Sequence, residues 1–285
     1  MARRGFSSLL THGRPGFFKL AAIGLLAWSS PAFPQASSET GAATILERGR
    51  KAALDYSLSL PDFVCTEVVY RYTEPYGGRQ LLPAGASSAA WNLTDTLTVQ
   101  LGYFEHKEEH KLTLIDGKPT DRTYDSLGGA LGAGEFGGML HSIFNPSSAA
   151  SFRWVGWKTV RRRRAAVYSY AVAQPHSNYR LVSRGSGDPQ TAVVGYHGEL
   201  DIDRETGAVL SFTYEADSIP RSLQWESAIT TVNYNFTAVG GRNYLLPASA
   251  ETVMRGPVKS TRNHMEFRNY AKFSSDSVVI FDDAK

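Results

Sequence analysis

His106-Lys-Glu-Glu109-His110 is the stretch of this chain whose residue types and spacing hold the most chemistry. Two histidines four positions apart, with an acid before the second, match the pattern of inverted zinc peptidases. There both imidazoles lie on one helical face and reach one ion at about 2 Å. The flanks argue against a helix. Leu97, Val99, Leu101 and Tyr103 alternate with Thr98, Gln100 and Gly102 on one side, and Glu109–Ile115 reads as a strand on the other. In an extended segment the two histidine Cα atoms stand about 13 Å apart, at roughly 3.3 Å per residue, and cannot share a metal. A polar hairpin without a metal is expected. Asp201-Ile-Asp203-Arg-Glu205 likewise opens like a calcium loop, but that loop needs Gly at its sixth position and Glu at its twelfth. This chain has Thr206 and Phe212 there, so a second hairpin turn is expected.

Other reactive features are sparse. No G-x-S-x-G elbow, phosphate-binding glycine loop or dinucleotide fingerprint occurs. The histidines at 106, 110, 141, 176, 197 and 264 are scattered, so an unrecognised hydrolase stays open only through contacts made in space. Cys65 is the single cysteine, which rules out an internal disulfide. It reads as a buried apolar filler before it reads as a nucleophile. Arg161–Arg164 is the densest charge run. It is either a solvated turn or a patch for anionic lipid headgroups or surface polysaccharide. Asn92-Leu-Thr94 and Asn235-Phe-Thr237 are glycosylation sequons, meaningful only in a eukaryotic secretory route. No cofactor is implied.

The N-terminus carries an address. Arg3, Arg4, Arg14 and Lys19 precede an apolar run, Leu20 to Trp28, and small residues follow at Ser29, Ser30, Ala32 and Ala36. That order is a secretory signal peptide, expected over residues 1–36, with cleavage after Ala32 or Ala36. The run is too short to span a bilayer. Arg3-Arg4-Gly5-Phe6 also hints at twin-arginine export, although the apolar region begins far downstream. Without residues 1–36 the 30 Lys and Arg fall to 26 against 27 acids, a formal charge of −1. The basic balance belongs to the discarded segment, and nucleic-acid binding loses its electrostatic support.

The elements follow from periodicity. Ile45, Leu46, Gly49, Ala52, Ala53, Tyr56 and Leu60 recur at helical spacing. Thr44-x-x-Glu47 reads as a capping box and Pro61 as the stop. From Pro61 onward the period shortens to two. Tyr196–Asp203, Leu210–Glu215 and Val232–Ala238 alternate, and weaker strands are expected at Val64–Thr73, Glu109–Ile115, Phe152–Val160, Ala165–Ala173, Asn178–Ser183, Tyr244–Met254, Asn263–Phe273 and Val278–Phe281. One packed and one wet face per strand marks antiparallel meanders, and Asp203-Arg-Glu-Thr-Gly207, Asp116-Gly117 and Gly240-Gly241 supply turns. One stretch breaks the rhythm. A glycine-rich tether, Gly128 to Gly138, leads into Phe136, Met139, Leu140, Ile143 and Phe144 at helical spacing, ending at Pro146. This short amphipathic helix is either a plug packed on the sheet or a lid over an apolar cavity.

The second half resembles bacterial periplasmic proteins of the lipoprotein-carrier type, the LolA/LolB-like superfamily. Three stretches carry the resemblance: Gly198-Glu-Leu-Asp-Ile-Asp-Arg-Glu-Thr-Gly207-Ala-Val-Leu210, then Val232-Asn-Tyr through Tyr244-Leu-Leu-Pro247, then Phe267-Arg-Asn-Tyr-Ala-Lys-Phe273. They cover about residues 195–281, and the opening helix and the Tyr103–Pro119 hairpin extend it more loosely. The whole chain also resembles a group of uncharacterised exported proteins from soil bacteria that share Gly134-Glu-Phe-Gly137. The resemblance implies a mainly β (α+β) fold: a strongly curved antiparallel sheet forming an unclosed β-barrel, covered by an N-terminal helix and the short amphipathic helix. One such domain is expected over 37–285, with the glycine-rich insertion and helix at about 126–146. In the carriers the concave apolar face holds acyl chains. None of their functional residues matches a position here.

These readings converge on an exported protein, periplasmic or secreted, that binds or carries a lipid-like or lipoprotein ligand without catalysis. The partners expected are lipid or lipoprotein acyl chains, with contact at a membrane surface and no nucleic acid. Tyr196, Phe212, Tyr214, Tyr234 and Phe236 fall on the alternating apolar faces and are the expected ligand contacts. Ordinary core packing would need the same pattern. The alternative is a structural or interaction module of the cell envelope with a filled core.

Overall fold

A computed structural model describes residues 35–75, 91–127, 134–183 and 190–273. The expected signal segment up to residue 34, the first part of the glycine-rich tether and the strand expected at Val278–Phe281 lie outside the described residues.

The chain opens with helix α1, Gln35–Ser59. It starts well before the Thr44 capping box, so Thr44 lies inside the helix. The stretch before it, residues 35–43, holds no proline to stop the helix. Ala42, Ile45, Gly49, Ala53 and Tyr56 are its buried stripe, one residue every three or four.

Thirteen strands follow: β1 (Phe63–Pro75), β2 (Asn92–Phe104), β3 (Lys107–Ile115), β4 (Lys118–Pro119), β5 (Ser151–Val160), β6 (Arg163–Val172), β7 (Arg180–Ser183), β8 (Gln190–Val193), β9 (Gly195–Asp203), β10 (Val209–Asp217), β11 (Ser227–Val239), β12 (Arg242–Arg255) and β13 (Lys259–Lys272). Between β4 and β5 lies helix α2, Gly138–Phe144. Eleven strands form one antiparallel sheet in the order β4-β3-β2-β1-β13-β12-β11-β10-β9-β6-β5, and β7 and β8 pair separately. The first meander, β1 to β4, joins the second, β5 to β13, where β1 pairs with β13. The end strands β4 and β5 do not pair with each other, so the barrel is unclosed, as the sequence led one to expect.

Curvature follows from what α1 touches. Tyr168 of β6 donates to the Ala42 carbonyl at 2.5 Å, and Tyr103 of β2 donates to the Ser57 carbonyl at 2.9 Å. These two carbonyls are about 22 Å apart along the helix, at 1.5 Å per residue. In a flat sheet β2 and β6 would be seven strand spacings apart, about 34 Å. The sheet therefore bends around the helix. Register shifts at Val64/Thr66, Arg71/Tyr72, Thr98/Val99, Trp154/Gly156 and Asn233/Tyr234 supply bulges, which bend strands and add twist.

Two glycines set the helix against the sheet. A Cβ on Gly49 would stand 2.6 Å from Ile202 Cδ1, and one on Gly207 would stand 2.8 Å from Arg48 Cβ. Gly207 also has φ +78°, the left-handed residue that the β9–β10 turn requires. Gly198 is tighter still, because a Cβ there would strike the carbonyl group of Thr213 on the neighbouring strand. Backbone cannot swing aside as a side chain can. Gly198→Ala is therefore expected to cost about 2–3 kcal/mol, lowering the melting temperature by roughly 5–10 °C in a thermal scan by circular dichroism. An unchanged melting temperature would show that β9 and β10 are further apart at this point.

Candidate functional site

The inner face of the sheet is aromatic and covered. Phe63, Tyr103, Tyr168, Tyr196, Phe212 and Tyr234 are all at most 2 % exposed. α1 covers one part of this face, and the segment Gly134–Phe144 covers another. Phe136 sits 5.4 Å from Phe63, 5.5 Å from Phe267 and 6.1 Å from Tyr103, measured between ring centres. Leu140, Ile143 and Phe144 are fully buried beside it. Gly134 and Gly137 turn the chain with φ of +95° and +106°. Space below Gly137 is tight, since a Cβ there would lie 2.6 Å from the Tyr56 ring. Polar ties add to the fit: Tyr234 donates to the Glu135 carbonyl at 2.6 Å, Arg50 to the Phe144 carbonyl at 3.2 Å, and Asn178 to Ser142 at 2.9 Å. In this structure the segment is a plug seated on the sheet.

Of the expected ligand contacts, Tyr196, Phe212, Tyr214 and Tyr234 share this face. Tyr214 stacks on Phe212 at 5.9 Å, and Phe212 on Tyr234 at 6.1 Å. Phe236 does not join them. The bulge at Asn233/Tyr234 breaks the two-residue rhythm, so Phe236 is 40 % exposed and Val239 turns inward instead. The Arg163 guanidinium lies over the Phe236 ring at 5.2 Å. The Tyr196 hydroxyl is buried without a hydrogen-bond partner.

Three carboxylates meet where the plug sits, and the alternation reading passed over them. Glu67 is on the inner face of β1 in step with Phe63, Cys65 and Val69, Glu108 is on β3, and Glu135 is in the plug itself. The backbone N–H groups of Gly134 and Phe136 favour the charged form of Glu108. Burial raises its carboxyl above the ordinary value, and those groups oppose the rise. Burial first, then the charges of Glu135 and Glu108, lifts Glu67 to about 8. Burial and the charge of Glu108 lift Glu135 to about 7. Glu67 Oε2 and Glu135 Oε1 have no hydrogen-bond partner. His110 Nε2 is 3.9 Å from Glu67 Oε2, and its ring stacks on Tyr124 at 5.4 Å. Beside Glu108 a cleft of about 420 Å³ opens between Ser57, Tyr103, His106, Phe136 and His141.

The remaining motifs resolve into turns and ion pairs. Glu105 and His106 form the left-handed turn of the β2–β3 hairpin, with His106 Nδ1 3.0 Å from the Ser57 carbonyl, so it and His110 face different neighbours. Among the described residues no group of three or more His, Cys, Asp or Glu could hold a metal ion. Asp203 ends β9 by accepting from Glu205 N, Thr206 N and Thr206 Oγ1 and by pairing with Arg163 at 2.7 Å. Burial pushes its carboxyl up, but Arg163 and Thr206 outweigh that and hold it below the usual value. His197 meets Asp217 at 2.7 Å and Glu215 at 3.8 Å, and His264 lies between Glu251 and Glu266. Cys65 is 3 % exposed, and burial, reinforced by Glu67, raises its thiol far above the ordinary range.

No family model and no curated protein matches the chain. Among solved structures it is similar to a domain assigned as an outer-membrane lipoprotein-sorting protein from Vibrio parahaemolyticus, at 11 % identity over 85 % of this chain and 95 % of that one, with a TM-score of 0.33. It is also similar to a LolA superfamily protein from Nitrosomonas europaea, at 9 % identity over 80 % and 92 %, TM-score 0.27. A DUF1329 family protein from Desulfovibrio piger matches at 8 % identity over 84 % and 94 %, TM-score 0.32. At these identities and TM-scores no superfamily, ligand or residue role passes from those proteins to this one.

Two outcomes follow. Glu67 and Glu135 hold protons in the folded state that the unfolded chain releases above about pH 4.5, so stability is greatest below that value and declines as pH rises toward 8. The melting temperature should fall by several degrees between pH 5 and 8, and Glu67→Gln with Glu135→Gln should flatten the slope. A rising or level wild-type profile would contradict the burial of these groups. The Cys65 thiol should be inert to Ellman's reagent in the native protein and react stoichiometrically in guanidinium. Rapid native reaction at pH 8 would mean that β1 is accessible.

Proposed function

We propose that this chain is an exported, non-enzymatic binder of a lipid-like ligand, which enters where the Gly134–Phe144 plug now sits. The observation that supports this reading is the nature of the cover. An aromatic inner face is closed by a seven-residue helix on a glycine-bearing approach, not by another strand. Phe136, Leu140, Ile143 and Phe144 contribute roughly 6–12 kcal/mol by their burial, at about 1.5–3 kcal/mol each. An acyl chain with about twelve buried methylenes would contribute close to 10 kcal/mol on the same scale. Exchange of plug for ligand is therefore near balance. Glu67 and Glu135, largely uncharged below about pH 7, leave the seat apolar enough for such a ligand. Export to the periplasm or outside the cell rests on the N-terminal segment, and a carrier's role for lipoprotein acyl chains is the narrower form of the same reading.

A second reading has its own support. Tyr196, Phe212, Tyr214 and Tyr234 are already covered by the protein's own side chains, as they would be in an envelope interaction module with a filled core. Two measurements separate the readings. Native mass spectrometry after gentle extraction should show a co-purifying lipid mass. Titration with a fluorescent fatty acid should show saturable binding, tightened at least tenfold by Phe136→Ala or Ile143→Ala, which weaken the competing plug. Consistent absence of lipid, with no probe binding to wild type or to either folded variant, would leave the interaction module as the function.

A further inference from the structure

Six arginines from three distant segments gather at one end of the sheet. Arg161–Arg164 form the β5–β6 turn and the start of β6, Arg204 lies in the β9–β10 turn, and Arg48 projects from α1. The backbone ties them together. Arg204 N–H donates to the Arg164 carbonyl at 2.9 Å, and Arg48 donates to the carbonyls of Arg204 and Glu205 at 2.7 and 2.9 Å. Arg161 donates to the Tyr234 carbonyl. A cleft of about 530 Å³ between Arg162, Arg163, Arg164 and Arg204 contains only Asp203 and Glu205 as acids, and Asp203 is taken by Arg163. Among the described residues Arg162, Arg164 and Arg204 meet no carboxylate at ion-pair distance. A second cleft, lined by Arg48 and Trp157, shares Arg164 and Arg204 with the first.

From this arrangement we propose a docking surface for the phosphate headgroups of an anionic bilayer. Four observations favour it. The chain without its N-terminal segment is nearly neutral, so this is a concentration of charge at one pole and not a general surplus. Every cation in it is an arginine, whose fork donates two parallel hydrogen bonds to a phosphate. The guanidinium groups of Arg164 and Arg204 lie 4.8 and 5.7 Å from the Trp157 ring centre, which orders them while leaving their N–H edges free. Phe236, displaced outward by the β11 bulge, places an exposed aromatic ring under Arg163 in the same region. Aromatic rings among cations suit the boundary between headgroups and acyl chains better than they suit a soluble polyanion. Arg161 and Arg162 also have left-handed backbone, where Asn or Gly would turn without strain. This surface stands whether or not the inner face takes a ligand.

Co-sedimentation of the exported protein with vesicles tests it, since that readout does not require the plug to open. Binding is expected to phosphatidylcholine vesicles containing 30 % phosphatidylglycerol and not to pure phosphatidylcholine, and it should vanish at 500 mM NaCl. Arg162→Glu/Arg164→Glu/Arg204→Glu should weaken it at least 100-fold, given roughly fivefold per arginine near an anionic surface. Arg122→Glu/Arg221→Glu/Arg242→Glu carries the same net charge on exposed arginines elsewhere and should change it less than threefold. If the first triple variant misfolds by circular dichroism, the single Gln variants at 162, 164 and 204 provide the comparison. Equal losses in the two triple variants, or no preference for the anionic vesicles, overturn the proposal. So does inorganic phosphate or heparin bound as tightly as the vesicles, which would assign the cleft to a soluble anion.

Discussion

A sheet of eleven strands that curls without closing leaves an apolar inner face that no strand can cover, and almost every other feature of this molecule answers that constraint. α1 covers part of this face with a narrow buried stripe of Ala42, Ile45, Ala53 and Tyr56. The remainder is filled by Phe136, Leu140, Ile143 and Phe144 from the connection between the two meanders. Without these two helical elements the tyrosines and phenylalanines of β2, β6, β9, β10 and β11 would face water. The cover is also hydrogen-bonded. Tyr168, Tyr103 and Tyr56 each pass a hydroxyl between helix and sheet to a carbonyl, so these three rings bury their faces without stranding their polar ends, whereas the Tyr196 hydroxyl has no partner.

The carboxylates show how the same cover tolerates polar groups. An ionised Glu67 or Glu135 in this setting would carry a desolvation cost of several kcal/mol, and the charges of neighbouring carboxylates would add to it. Holding a proton removes that cost, but taking it up costs more as pH rises above about 4.5, which is why stability declines toward pH 8. Burial also raises the Glu108 carboxyl, and the backbone N–H groups of Gly134 and Phe136 oppose that rise. Proton occupancy and plug position are linked through charge, because Glu135 belongs to the plug and raises the Glu67 carboxyl in its seat.

Much of this was legible in the sequence. The two-residue rhythm placed most of the strands, the glycine-rich break located the plug, and Asp203 and Gly207 marked their turn. Four things were not legible, each for a physical reason. A bulge shifts the rhythm by one residue without any reliable signature, and this took Phe236 off the inner face. Glu67 was hidden because Val64, Val68 and Val69 make both faces of β1 apolar, so a charged residue in step with Phe63 and Cys65 did not stand out. Glu109 drew notice through its place in the histidine motif, whereas the inward residue is its neighbour Glu108, a choice that only strand phase could settle. Arg48 and Arg204 are single arginines in a charged chain, and only the fold brings them beside Arg161–Arg164.

The arginine pole and the plug are joined by one rigid element. Arg48, whose guanidinium reaches the β9–β10 turn, and Tyr56, whose ring packs under Gly137, lie eight residues apart on α1. Arg50, between them, reaches the last carbonyl of α2 and lies over the Phe144 and Phe152 rings at 6.0 and 5.5 Å. A load placed on the arginines would reach the plug through a helix about 12 Å long in this stretch, with no flexible loop between. Curvature makes that connection stiff. The helix is gripped from β2 to β6 by side chains on both walls, so it cannot tilt at one end without disturbing the packing at the other. In an unclosed barrel, the element that covers part of the inner face is also the element through which its two ends are mechanically connected.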